Sequence, residues 1–223
     1  MDKTKLTVMA NMQNDLNMVI NPNWHEAGYP WPRAIMVEAV EALEHYGWKW
    51  WKAQPPQTPE VVAQIQLELV DIWHFAMSHI IGINIVQGGD VGSAIDEMFQ
   101  YFSDLEANPD HLGDVSQLGV HDLFDMLIGS AGIQRQVNGA AFSMLMRHFD
   151  LSWDKMYDMY IGKNVLNQFR QANGYKEGTY MKIWNGQEDN VYLAALMERH
   201  PDATPTMLNN MLVEYYKTVV RVH

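Results

Sequence analysis

Four carboxylates in two matched pairs are the residues best suited to do chemistry. Glu38 and Glu41 stand three residues apart, and so do Glu68 and Asp71. A three-residue step on a helix turns about 300°, so each pair shares one face. Two such helices packed together would converge four oxygen ligands on a hard divalent cation. Solvated helix faces carry the same residue types. Here, however, the acids enclose Ala39 and Val40 in one case and Leu69 and Val70 in the other. Each pair therefore borders an apolar face. Carboxylates buried there without partners would have to take up a proton or bind a cation. Mg2+ is the natural filler, with Mn2+ as a substitute, and a two-ion cluster would hold a water beside a carboxylate base. Iron is the competing filler, but bundle di-iron sites use Glu-x-x-His twice. The pairs here are Glu-x-x-Glu and Glu-x-x-Asp, with His74 one turn further on, so His74 reads as a core histidine beside the site.

Two other groups of residues bear on that site. Trp48, Trp50 and Trp51 follow the first pair; they suit core packing by number and a stacking wall for a base by position. Five of the 15 basic residues fall between Lys155 and Lys182. A charge-mixed helix surface is the plain reading of that run. With Tyr175 and Asn190, its members Lys163, Arg170, Lys176 and Lys182 also offer the donors that a triphosphate needs on its outer oxygens. Glycines at 174, 178 and 186 would permit close backbone approach. No GxxxxGK[ST] sequence is present, so a P-loop is not the device.

The elements that must position these residues are helices. Leu6, Met9, Met12 or Gln13, and Leu16 form one side of a first helix reaching about Ile20. NPNWHEAGYPWP is a loop, and Pro32 suits the first turn of the helix that carries Glu38 and Glu41 and stops at Gly47. Thr58 caps a helix with Pro59 at its first position, running to Gly88-Gly89 with Glu68 and Asp71 aboard. Further helices are expected from Ser93, with Asp96 completing a capping box, to about Glu106, then over 115–128 and 133–148. Ser152 caps a long helix closed by Gly174. A polar loop follows, then helices over 191–199 and, capped by Thr204, 205–219. No strand series appears. The expected fold is all-α: a helical bundle with a four-helix metal-binding core, one domain over 1–223, and a candidate smaller helical lobe at about 89–149.

The 223 residues are 48% hydrophobic, enough for a sizeable core. Cysteine is absent, which excludes disulfides and thiolate metal sites and fits a cytoplasmic chain (host cytoplasm for a phage-borne one). No apolar run approaches the roughly 20 residues of a membrane span, and the N-terminus lacks a signal-peptide core. The formal net charge of −12 opposes binding to a nucleic-acid polymer. A small phosphorylated ligand is compatible with it if cations and the basic run offset the field.

The segments MQNDLN, EAVEALEHYGWKWWK, ELVDIWHFAMS and KNVLNQFRQANGYKEGTYMKIWNGQEDN resemble the dimeric, all-α dUTPases, relatives of the MazG-like nucleoside triphosphate pyrophosphohydrolases. The last segment separates that family from the broader MazG-like group; residues 89–149 and the tail carry little of the likeness. The resemblance implies hydrolysis of dUTP, and often dUDP, to dUMP by a homodimer. It implies that Glu38, Glu41, Glu68 and Asp71 bind the metal and that Glu41 or Glu38 polarises the attacking water. It also implies that Gln13 and Asn17, with Trp48 nearby, surround the base. Lys163, Arg170, Tyr175, Lys182 and Asn190 would meet the phosphates. Alternatives are a dCTP/dUTP or looser MazG-like hydrolase, a nucleotide-sequestering protein and a di-iron oxidase.

Overall fold

A computed structural model describes residues 1–220 of the chain. It is all-α, with one two-residue hairpin among the described residues. The helices are α1 (Lys3–Ile20), α2 (Trp31–Tyr46), α3 (Pro59–Val86), α4 (Val91–Ala107), α5 (Val120–Gly129), α6 (Gly139–His148), α7 (Trp153–Ala172), α8 (Asp189–Arg199) and α9 (Pro205–Val220). The hairpin strands are β1 (Ile183–Trp184) and β2 (Gln187–Glu188), antiparallel, with Trp184 opposite Gln187.

The caps explain most boundaries. Asp2 accepts from the Thr4 and Lys5 amides and starts α1. Thr58 accepts from the Val61 amide with Pro59 first in the helix, and Ser152 accepts from the Lys155 amide. Three boundaries differ from expectation. The capping box of α4 pairs Asp90 with Ser93 instead of Ser93 with Asp96, so the helix opens at Val91. The segment Pro109–Gln117 is a 3-10 turn, and α5 begins only at Val120. A π turn at Ser130–Gln134 ends with Arg135 in the left-handed region, and Asn138 then caps α6 at Gly139 instead of Ile133.

Helices α1, α2, α3 and α7 form the central bundle, with α2 against α3 as its largest contact. The apolar face of α2 buries Ile35, Ala39 and Ala42; that of α3 buries Ile65, Leu69, Ile72, Trp73 and Ala76. By length and composition α3 is apolar enough to cross a membrane, which the sequence reading did not anticipate. Its apolar residues instead serve as the central helix of the core, and Glu68 and Asp71 interrupt them at a cavity. Buried hydrophobic residues between Ala94 and Phe149 belong to the same cluster as those of α1–α3. A separate cluster lies further along, where the outer face of α7 (Val165, Leu166, Phe169) meets Trp184 and residues of α8 and α9. Helix α7 is thus buried on both sides, facing the bundle with one and the C-terminal helices with the other.

Candidate active site

A cavity of about 840 Å³ opens between the four central helices and the segment after α7. Glu38, Glu41 and His45 line it from α2, at steps of three and four residues along one face. Glu68, Asp71, His74 and Phe75 line it from α3, Gln13 and Asn17 from α1, and Lys163, Asn167 and Arg170 from α7. The α7 residues stand at i, i+4 and i+7, a ladder of donors rising about 10 Å along the helix. Tyr175, Lys182, Glu188 and Asn190 close the far side.

Three of the four acids converge. Glu38, Glu41 and Glu68 offer oxygens that all lie within 4.8 Å of one another. Burial and the negative charges of Asp71, Glu68 and Glu41 push the Glu38 carboxyl up to about 8. Burial, followed by Asp71, also raises Glu68. Such a cluster calls for a cation, and its all-oxygen donor set suits a hard one. No histidine belongs to it, although His45 Nε2 lies 3.5 Å from Glu68. Asp71 lines the same cavity but is held by Lys163 at 2.9 Å.

Of the expected phosphate-side donors, Lys163, Arg170, Tyr175, Lys182 and Asn190 line the cavity, each in its own state of engagement, whereas Lys176 lies outside the lining and donates to the Ile20 carbonyl at 3.0 Å. Arg170 makes a bidentate pair with Asp189, at 2.8 Å from Nε and 2.7 Å from Nη2, and donates to Asn167 and Asn190 as well. Four of its five N–H groups are used, leaving one on Nη1. Asp189 is fully buried and also accepts from Tyr180 at 2.7 Å. Burial alone would raise its carboxyl; the Arg170 bonds and charge outweigh that and hold it below the usual range. Lys182 pairs with Glu188 at 3.2 Å.

Gln13 and Asn17 sit in a buried network. The Gln13 amide donates to Asn17 Oδ1 at 3.2 Å and to Ser78 Oγ at 2.9 Å, and Asn17 Nδ2 donates to Ser78 Oγ at 3.0 Å. Tyr160 donates to Gln13 Oε1 at 2.8 Å and stacks on His74, with ring centres 4.1 Å apart. His74 donates from Nδ1 to the Val70 carbonyl, and its buried Nε2 has no hydrogen-bond partner. Burial lowers its pKa to about 4, so it is a neutral ring with an acceptor nitrogen.

Trp48 does not reach this cavity. Helix α2 ends at Tyr46, Gly47 turns the chain at φ 94°, and the Trp48 indole donates to Glu44, against Trp51 and under Lys49. Glu44 lies off the Glu38–Glu41–His45 face, so the tryptophan follows it outward. At Gly178 and Gly186 a side chain would meet no protein atom within 4 Å, and positive φ angles call for glycine there; at Gly174, with φ 88°, a side chain would also meet Thr179. Residues missed from the sequence are His45, Ser78, Tyr160 and Asp189. Only His45 carried a signal, being one turn from Glu41 on the acid face.

A protein-family model described as dUTPase matches residues 5–175. None of the curated proteins compared matches the chain. The matched span contains α2, α3 and α7 and all but the first two residues of α1, whereas α8, which also lines the cavity, lies beyond it.

Proposed function

The chain belongs to the all-α dUTPase family and is a dUTP-hydrolysing enzyme, and from that premise we propose that it converts dUTP to dUMP and pyrophosphate with Mg2+. The observation that carries the reading is one cavity with a carboxylate cluster on the α2–α3 side and a ladder of cationic and amide donors on α7. Held by Glu38, Glu41, Glu68 and Asp71, Mg2+, or Mn2+ in its place, would neutralise phosphate charge and make a water more acidic. Glu41 or Glu38 orients the attacking water and receives its proton. The water oxygen bonds to the α-phosphorus while the bond to the bridging oxygen breaks, and pyrophosphate leaves. Lys163, Lys182, Tyr175, Asn190 and the remaining Nη1–H of Arg170 meet the charge that builds on it. Gln13 and Asn17 surround the base, with Phe75 as an apolar wall. The working unit is a cytoplasmic homodimer that binds small nucleotides, including dUDP.

A pyrophosphate-release panel over the four common deoxynucleoside triphosphates and dUTP, with product analysis, tests this. The expected result is Mg2+-dependent turnover confined largely to dUTP, with pyrophosphate instead of phosphate released. Comparable rates with dCTP would replace strict dUTP hydrolysis by a dCTP/dUTP activity. Tight nucleotide binding without turnover in Mg2+ or Mn2+ would point to sequestration.

A further inference from the structure

Uracil and cytosine differ in their hydrogen-bonding edge. At the ring position where uracil presents N3–H beside a carbonyl, cytosine presents a bare N3 beside an amino group. A side-chain amide can meet either edge, because turning it over exchanges its carbonyl and its N–H. An amide discriminates only if something prevents that turn.

Here both ends of the network are tied to backbone carbonyls, which cannot turn. At one end Asn164 Nδ2 donates to the Met12 carbonyl at 3.4 Å and to Tyr160 Oη at 3.2 Å, while Asn164 Oδ1 accepts from Gln168. Tyr160 therefore accepts from Asn164 and keeps its single hydrogen for Gln13 Oε1 or the Met9 carbonyl. At the other end the Ser78 hydroxyl donates to the His74 carbonyl at 3.0 Å. Its one hydrogen is then spent, and Ser78 Oγ can only accept. Gln13 and Asn17 must both turn their nitrogens toward it. The Ser78 end sets the polarity of Gln13, with its nitrogen to Ser78 and its oxygen toward Tyr160, whose single hydrogen is shared between Gln13 Oε1 and the Met9 carbonyl. Gln13 in turn directs the Asn17 oxygen toward itself. Ser78, Tyr160 and Asn164 are fully buried, so water does not compete for these bonds.

We propose that Ser78 is a specificity-determining positioning residue: by accepting from Gln13 and Asn17 together, it holds both amides in the one orientation that reads uracil. This rests on the dUTP-hydrolysing reading above. Both amides line the cavity, whereas Ser78 does not, so it acts through them. Asn17 keeps one N–H and one carbonyl lone pair for the base, the complement of an N3–H and carbonyl edge.

The test is steady-state kinetics of wild type and Ser78→Ala on dUTP and dCTP with Mg2+. The expected result is a loss of the kcat/KM preference for dUTP over dCTP of about tenfold, the scale of one misdirected hydrogen bond, with KM for dUTP rising more than kcat falls. An unchanged preference, or equal losses on both nucleotides, overturns the proposal and leaves Ser78 a packing residue. Wild-type activity that does not distinguish dUTP from dCTP also overturns it. Absence of dUTP turnover in wild type would instead remove the underlying reading. If Ser78→Ala does not fold, Ser78→Cys, of similar size but a weak acceptor in place of the hydroxyl oxygen, tests the same contact. It is expected to lower the same ratio; an unchanged ratio overturns the proposal.

Discussion

The two ends of the cavity both bury charge, and they do so in opposite ways. Glu38, Glu41 and Glu68 crowd together, with Lys163 on neighbouring Asp71 and the His45 ring 3.5 Å from Glu68. Arg170 and Asp189 instead form a nearly closed unit: two bonds between them, with Tyr180 donating to Asp189, and Asn167 and Asn190 taking all but one of the remaining Arg170 N–H groups. The first arrangement raises the proton affinity of its own carboxylates; the second lowers it. A cluster left in mutual repulsion serves a partner that arrives from outside, whereas a closed pair serves shape. On the proposed reading the acid end is a binding device, and the Arg170–Asp189 unit is scaffolding with one N–H of Arg170 left over.

The strongest way to break this contrast is to neutralise one residue at each end. Glu41→Gln removes a ligand and a candidate base, and Mg2+-dependent dUTP turnover is expected to fall by at least about a thousandfold, roughly 4 kcal/mol. Its thermal melting should stay near that of wild type, because repulsion is relieved. Asp189→Asn should act the other way round. It leaves a buried guanidinium without its counter-charge, and urea denaturation is expected to report a loss of about 3 kcal/mol. Equal stability losses in the two variants would erase the distinction between the ends.

The acid end was legible in the sequence because its information is local. Paired three-residue spacing, with Pro59 and Gly47 marking helix ends, puts Glu38, Glu41, Glu68 and Asp71 on inner faces without knowledge of the tertiary fold. The Arg170–Asp189 unit was not legible. Its members are 19 residues apart across a hairpin, and Asp189 reads as part of a polar loop until Asn185-Gly186 folds that loop back. Ser78 and Tyr160 were hidden differently: on apolar helix faces they look like tolerated core residues, and only the partners facing them give them work. The tryptophans misled for a related reason. Proximity in sequence to the acids says nothing of direction once Gly47 has turned the chain. Asp90 was passed over as a cap because Asp90-x-x-Ser93 and Ser93-x-x-Asp96 are equally good local patterns.

The two ends should also respond oppositely to pH. Glu38 in the folded chain holds its proton up to about 8, against an ordinary value of 4.5. Between those values the folded state binds more protons than the unfolded state, so stability falls as pH rises through that window. Solvent screening of a partly exposed group limits the loss to roughly 2 kcal/mol. Asp189, held below its ordinary 3.8, contributes stability that is present above that value and is lost as pH falls through its lowered folded pKa. Melting temperatures of chelator-treated protein should therefore decline from about pH 5 to pH 8, and separately in strong acid. Millimolar Mg2+ should flatten the first decline and leave the second. A first decline untouched by Mg2+ would mean that the acid cluster is not the binding device.

The smallest expected effect tests whether the scaffolding extends into the hairpin. Asn185 and Gly186 have φ of 49° and 83°, positive at both central positions as a type I′ turn requires, and Trp184 and Gln187 pair across them. That turn returns the chain so that Glu188 and Asp189 follow directly, and the Lys182 carbonyl accepts from the Asp189 amide at 3.0 Å. Gly186→Ala adds a side chain with open space around it, so any cost is conformational and amounts to about 1 kcal/mol. If the turn merely joins two helices, that cost stays in stability and kcat/KM for dUTP is unchanged. If the turn sets where Asp189 holds Arg170, the same substitution also raises KM severalfold, with kcat little altered. Comparison with Asp189→Asn then separates the two: a shared KM effect assigns the hairpin to the Arg170–Asp189 unit, and a stability effect alone confines that unit to α7 and α8.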